Sequence, residues 1–238
     1  MKKLIAFILI AVLVAASVPT VIWAAAPEAP AAEETAPFTD VPPGSWYEEA
    51  VLWAAENNIT SGVGDHLFGP NQTVTRAQVV TMLWRIEDSP AAESTVTFSD
   101  VPDGKWYSDA VAWAAANELV AGYPNGTFAP GKDITRQELV TILFRYAKYK
   151  DPATAAPEDV DFSAYSDAGQ IASFASDAMR WAVGTGVGHG TSDTTLSPNG
   201  TATRAQLVQM LYRWLAKPGE DDDPSSGGDW ELPVIPNP

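Results

Sequence analysis

The chain has 238 residues and no cysteine, which excludes disulfide frameworks, thiol proteases, zinc–cysteine sites and iron–sulfur clusters. Thirty acids against fourteen bases give a formal charge of −16, and a field of that sign opposes binding to nucleic acid or to an anionic membrane surface.

The first elements along the chain are targeting and spacing. Lys2 and Lys3 form a positive n-region, Leu4 to Val18 a short apolar stretch, and Ala24 to Ala26 a small-residue cleavage zone. Residues 1–26 are therefore expected to be a secretory signal peptide, leaving no membrane span after cleavage. Its removal takes two bases and no acids, moving the charge from −16 to −18. An Ala/Pro/Glu spacer follows over residues 27–37.

Three copies of one pattern come next. "FTDVPPGSWYEEAVLWAAENNI" begins at Phe38, "FSDVPDGKWYSDAVAWAAANEL" at Phe98 and "YSDAGQIASFASDAMRWAVGTGV" at Tyr165. Each leads to a glycine-bearing loop and a proline (Pro70, Pro130, Pro198), and five residues beyond each proline stands a threonine: Thr75, Thr135, Thr203. Order and spacing recur together, the signature of a tandem repeat. The repeats are placed at 38–87, 98–148 and 165–216.

Each repeat reads as helix–loop–helix. Trp46, Ala50, Trp53 and Ala54 fall at i, i+4, i+7 and i+8, one face of a first helix. Gly62, Gly122 and Gly186 suit the left-handed turn that closes a helix. The second helix starts at the threonine, an N-cap with Gln78, Glu138 or Gln206 three residues on to complete a capping box. A unit of about fifty residues buries too little surface alone, so the repeats must pack together. The fold class is all-α, three helix pairs in one body.

Arg76, Arg136 and Arg204 then occupy the first turn of each second helix, where the dipole is positive and a cation is unfavourable. Repeating an unfavourable placement three times points to a use. A helix N-terminus beside a guanidinium fork suits a carboxylate or phosphate, giving three small anion sites on a negative body. On that reading Arg136→Ala leaves stability unchanged or raised. The alternative is that each arginine pairs with an acid of a neighbouring repeat, such as Asp40, Asp100 or Asp167. Arg85, Arg145 and Arg213, nine residues further on among aromatics, read as structural, stacking on rings or pairing with acids.

"FTDVP…W…AV.WA", "GYPNGTFAP" and "TRQE" resemble the S-layer homology domain, a family of three tandem modules, over about 180 residues. The resemblance implies a pseudo-threefold body of prongs around a central three-helix bundle. It implies non-covalent attachment of an exported protein to the bacterial envelope, through an anionic, pyruvylated secondary wall polysaccharide or, in diderm relatives, modified peptidoglycan. It also implies binding in grooves between modules, centred on Arg76, Arg136 and Arg204. Repeat two is nearest the family pattern, with Gly122, Asn125 and Gly126 in its loop. Loop one lacks the tyrosine–proline pair, and repeat three departs most, with Phe174 where Trp46 and Trp106 stand. Those two tryptophans could flank a sugar face, but on the apolar helix face they read first as core.

Nothing in the chain assembles a reactive set, so no enzyme, cofactor or metal site is expected. His66 and His189 lie in loops at non-equivalent positions, "GTGVGHG" has the wrong spacing and context for a nucleotide loop, and "GEDDDP" lacks an EF-hand's alternation. A self-associating surface-layer component is the other reading, less favoured because only some twenty residues follow the repeats. That acidic, Pro-rich segment, 217–238, is expected to be disordered, with Trp230 a possible protein-docking point.

Overall fold

A computed structural model describes residues 37–91 and 97–216. The expected signal peptide, the tail and all but the last residue of the spacer lie outside that set. Six α-helices carry the repeats: α1 (Glu48–Glu56), α2 (Arg76–Ile86), α3 (Ser108–Ala116), α4 (Arg136–Lys150), α5 (Ser176–Gly184) and α6 (Arg204–Leu215). Two 3₁₀ turns, Ala168–Gln170 and Ser173–Ala175, precede α5. Among the described residues there is no strand, only isolated β-bridges.

Local chemistry explains the helix ends. Thr75, Thr135 and Thr203 each accept a hydrogen bond from the backbone N–H three residues on, and Gln78, Glu138 and Gln206 reach back to the threonine N–H at 3.0, 2.9 and 3.1 Å. All three capping boxes are complete. The first helices of modules one and two close by a Schellman motif. Asn58 N–H meets Ala55 O and Ile59 N–H meets Ala54 O; Glu118 and Leu119 repeat this on Ala115 and Ala114. The left-handed residues there are Asn58 and Glu118, both at φ 58°, whereas Gly186 takes that position in module three.

Gly62 and Gly122 therefore do not close helices, as their spacing had suggested. They sit later, at φ 78° and 68°, where the loop passes under an aromatic ring. A Cβ on Gly122 would stand 2.4 Å from the Phe98 ring and 2.9 Å from Thr127 O. Close approach, added to the positive φ, makes glycine necessary.

Packing crosses the module boundaries. The closest helix pairs are α2 with α3, α4 with α5, and α6 with α1, so each module's second helix lies against the next module's first. Phe144 on Trp181 (5.6 Å) and Trp53 on Tyr212 (5.7 Å) mark two of these contacts. The three second helices also meet at both ends. Before their caps, Val74 N–H donates to Ala202 O, Ala202 N–H to Ile134 O and Ile134 N–H to Val74 O, a closed ring of 2.9–3.0 Å bonds among fully buried residues. At the far ends Tyr146 of α4 packs on Trp113 and Trp214 and donates its hydroxyl to Glu87, which Lys150 pairs at 2.8 Å. Burying a side chain the size of Phe68, Phe128 or Leu196 contributes about 1.5–3 kcal/mol each, and all three are fully buried beneath the loops.

Candidate inter-module sites

Each loop proline is preceded by a short segment gripped from two sides. Asp40 accepts the amides of Phe68 and Gly69, Asp100 those of Phe128 and Ala129, and Asp167 those of Leu196 and Ser197, all at 2.7–2.8 Å. The carbonyl of the same residue is taken by an arginine from another module. Arg76 Nε–H donates to Phe128 O, Arg136 to Leu196 O and Arg204 to Phe68 O, at 2.9, 2.9 and 2.8 Å. Module one thus clamps module two, two clamps three, and three clamps one.

The helix N-termini are spent in the same way. Arg76, Arg136 and Arg204 give their backbone N–H groups to Lys132, Gly200 and Gln72 carbonyls, and the following amides go to Pro130, Pro198 and Pro70. With the third amide on the threonine, no first-turn N–H remains open to an anion. That corrects the dipole half of the sequence argument. The arginine side chains are buried, at 7, 5 and 2% exposure, and they answer loop carbonyls instead of forming ion pairs with the repeat aspartates. Burial pushes Arg136 down to about 10, against the favourable field of Asp167. Arg204 is lowered by burial too, opposed by Asp40. Both stay cationic near neutrality.

The junctions differ in what else the guanidinium does. Arg136 gives a second donor to His189 O at 2.6 Å, and Arg204 one to Thr60 Oγ1 at 3.3 Å. Arg76 lies over the rings of Tyr123 and Phe128 at 5.0 and 4.8 Å. Its terminal nitrogens donate no hydrogen bond to any described residue, yet they are not sealed from solvent.

Trp46 and Trp106 are not core. Both precede their helix, T-stacked on Tyr47 and Tyr107, with exposures of 36 and 60%; Phe174 matches them at 57%. The helix face is filled by Ala50 and Ala54 instead. Asn125 and Gly126 form a surface turn in which Asn125 Oδ1 accepts from Thr127 N–H and Oγ1–H, and Gly126 adopts φ 78°. Gly122 lies beneath that turn. Arg85 and Arg145 are structural, though their partners are neither rings nor acids: each donates to the carbonyl of the residue just past its own module's Schellman turn, Ile59 or Leu119, at 3.3 Å.

Sequence reasoning missed Tyr123, Lys132 and Gln137. Lys132 Nζ bonds Tyr123 Oη at 2.9 Å and Glu138 Oε1 at 2.8 Å. Gln137 is a buried amide that donates to Asn199 and accepts from the Ala172 N–H, tying α4 to module three. A signal existed for Lys132 and Gln137, since Gln72 and Gly200 stand at the former's equivalents and Ala77 and Ala205 at the latter's. Among the described residues no cluster of three acids or histidines could hold a metal, and no helix is long and apolar enough to cross a membrane.

Three helical modules fastened in a ring by interlocking arginines define a tandem-repeat protein whose candidate sites lie between modules. The S-layer homology domain family matches residues 37–80, 97–140 and 164–208, and the chain belongs to that family. It is similar to an amylopullulanase of Thermoanaerobacterium thermosulfurigenes, 30% identical over 76% of this chain and 10% of that enzyme. It is 28% identical to a cellulosome-anchoring protein of Acetivibrio thermocellus, over 66% of this chain and 38% of that protein. A surface-layer 125 kDa protein of Lysinibacillus sphaericus is 30% identical over 70% of this chain and 14% of its own length. The chain thus spans only a minor part of each relative. Family and relatives together place it among secreted proteins of the cell wall and surface.

Proposed function

We propose that the three modules anchor an exported protein to the cell envelope by binding an anionic, pyruvylated wall polysaccharide in the grooves between them. The observation that carries this reading is the buried arginine at every module junction, with Arg76 still holding donors that face solvent. A pyruvate ketal offers a carboxylate on a sugar, and a planar guanidinium meets a carboxylate with two parallel bonds. Of Arg76, Arg136 and Arg204, on which the family pattern centres binding, Arg76 is the proposed ligand contact, and the other two spend further donors on holding neighbouring modules. Gly122, Asn125 and Gly126 shape the loop over Arg76, and the exposed Trp46 and Trp106 offer flat apolar faces for sugar rings. The ring of contacts suits a pseudo-threefold body that fixes the loop of one module against the arginine of another.

The test is a pull-down of the mature protein with sacculi from its own source, native or stripped of secondary polymer by mild acid. Binding that disappears on stripping supports the polysaccharide. Binding that persists moves the ligand to peptidoglycan, and no binding to either rejects the anchoring role. The surface-layer relatives motivate one further control. Concentration-dependent light scattering without polymer would reveal self-assembly in place of anchoring.

A further inference from the structure

The three junctions are equivalent in sequence position but not in chemistry. At the junction of modules two and three, Arg136 spends two donors on carbonyls. Buried Gln137 seals the flank by bonding Asn199 at 2.6 Å and Ala172 N–H at 2.9 Å, while Asn199 also reaches Gln170. At the junction of modules three and one, Arg204 is committed to Phe68 O and Thr60 Oγ1. There the loop presents exposed Val63 and Leu67 where module two has Tyr123 and Thr127. Both junctions are locks.

The junction of modules one and two is built differently. Arg76 is nine-tenths buried, and of its five N–H donors only Nε–H is used. Its remaining fork lies beside the Tyr123 ring, with Lys132 Nζ at 5.3 Å from the same ring. Lys132 engages two acceptors, leaving one of its three ammonium protons free. Gln72 and Gly200 occupy its equivalents, so neither of the other junctions has a lysine at this position. Glu138, the acid nearest the pair, is occupied: one oxygen holds Thr135 and the other meets Lys132 and Tyr123. Asp100 is likewise taken up by two loop amides.

We infer that the chain carries one carboxylate-binding site, formed by Arg76 of module one with Tyr123 and Lys132 of module two, and that the other two arginines serve only to fasten modules. The occupant is the acid group of a wall saccharide, its carboxylate spanning the Arg76 fork and the Lys132 ammonium. This rests on the wall-binding reading above, and the experiment separates the two.

Binding isotherms on native sacculi are measured for the wild type and for Arg76→Gln, Lys132→Gln and Arg204→Gln, with melting temperature recorded for each. Loss of a charge-assisted bond predicts half-saturation raised by at least about tenfold for Arg76→Gln and about threefold or more for Lys132→Gln. Arg204→Gln is expected to melt earlier yet bind within about twofold of wild type at a temperature where it is folded. Lys132 is exposed on the surface, so its variant folds and decides the matter even if Arg76→Gln does not. Wild-type binding by Lys132→Gln overturns the site, as does a loss in folded Arg204→Gln equal to that of Arg76→Gln. Failure of the wild type to bind sacculi rejects the anchoring role itself.

Discussion

A cation in the first turn of a helix is a defect in an isolated helix and a fastener in this ring. Arg136 reaches past its own dipole to two carbonyls of module three, at 2.9 and 2.6 Å. Removing the side chain leaves the carbonyl of fully buried Leu196 unmet, at about 1–3 kcal/mol. Arg136→Ala is therefore expected to destabilise by about 1–3 kcal/mol in urea unfolding, the reverse of what the dipole alone implies. Thr135→Ala, losing only a cap, should cost about 1 kcal/mol in the same measurement. Acid titration probes the opposite side of the clamp. Burial alone would raise the Asp167 carboxyl, but the Leu196 and Ser197 amides and the Arg136 charge hold it below the usual range. Glu138 is lowered in the same sense: Lys132 and Thr135 outweigh its burial. A depressed carboxylate contributes stability above its unfolded pKa and loses it as pH falls through the folded one. Stability should accordingly hold from neutrality to about pH 5 and fall below about pH 4, and Asp167→Asn should flatten that fall.

At the scale of elements, what is local was legible. The threonine caps, their partners three residues on and the apolar spacing of the second helices depend on neighbours within a turn, and all are present. The first helices were placed two residues early. Trp46 and Trp106 fit the 3.6-residue period but stand before Glu48 and Ser108, in the turns fixed by Gly44 and Gly104 at φ 77° and 74°. Periodicity does not mark where a helix begins when no side chain caps it, and neither Tyr47 nor Tyr107 does so. The helix exits hold a reserve of stability. Glu118 is an exposed, non-glycine residue at φ 58° in a Schellman turn. Glu118→Gly should relieve that strain and raise stability by about 0.5–1 kcal/mol, read as an increased melting temperature with an unchanged far-UV spectrum.

At the scale of the whole molecule, what was illegible is the direction of the clamp. No spacing within a repeat says that Arg204 will meet Phe68, 136 residues away, or that Val74, Ile134 and Ala202 will close a ring through backbone bonds alone. Such contacts arise only when three copies face one another, so one repeat read by itself cannot contain them. The consequence is cooperative folding. Deleting residues 165–216 would strip Arg204 from Phe68 O and Thr60, remove Leu196 O from Arg136, and uncover the α1 and α4 faces that α6 and α5 cover. Two of the three helix pairs and two of the three ring bonds would go together, a loss far larger than the 5–15 kcal/mol that holds a typical domain. The intact chain should therefore unfold in one calorimetric transition with equal calorimetric and van 't Hoff enthalpies, and the two-module fragment should show no transition at all. A fragment that melts near the temperature of the intact chain would mean that each module carries its own stability and that the arginine ring is incidental to the fold.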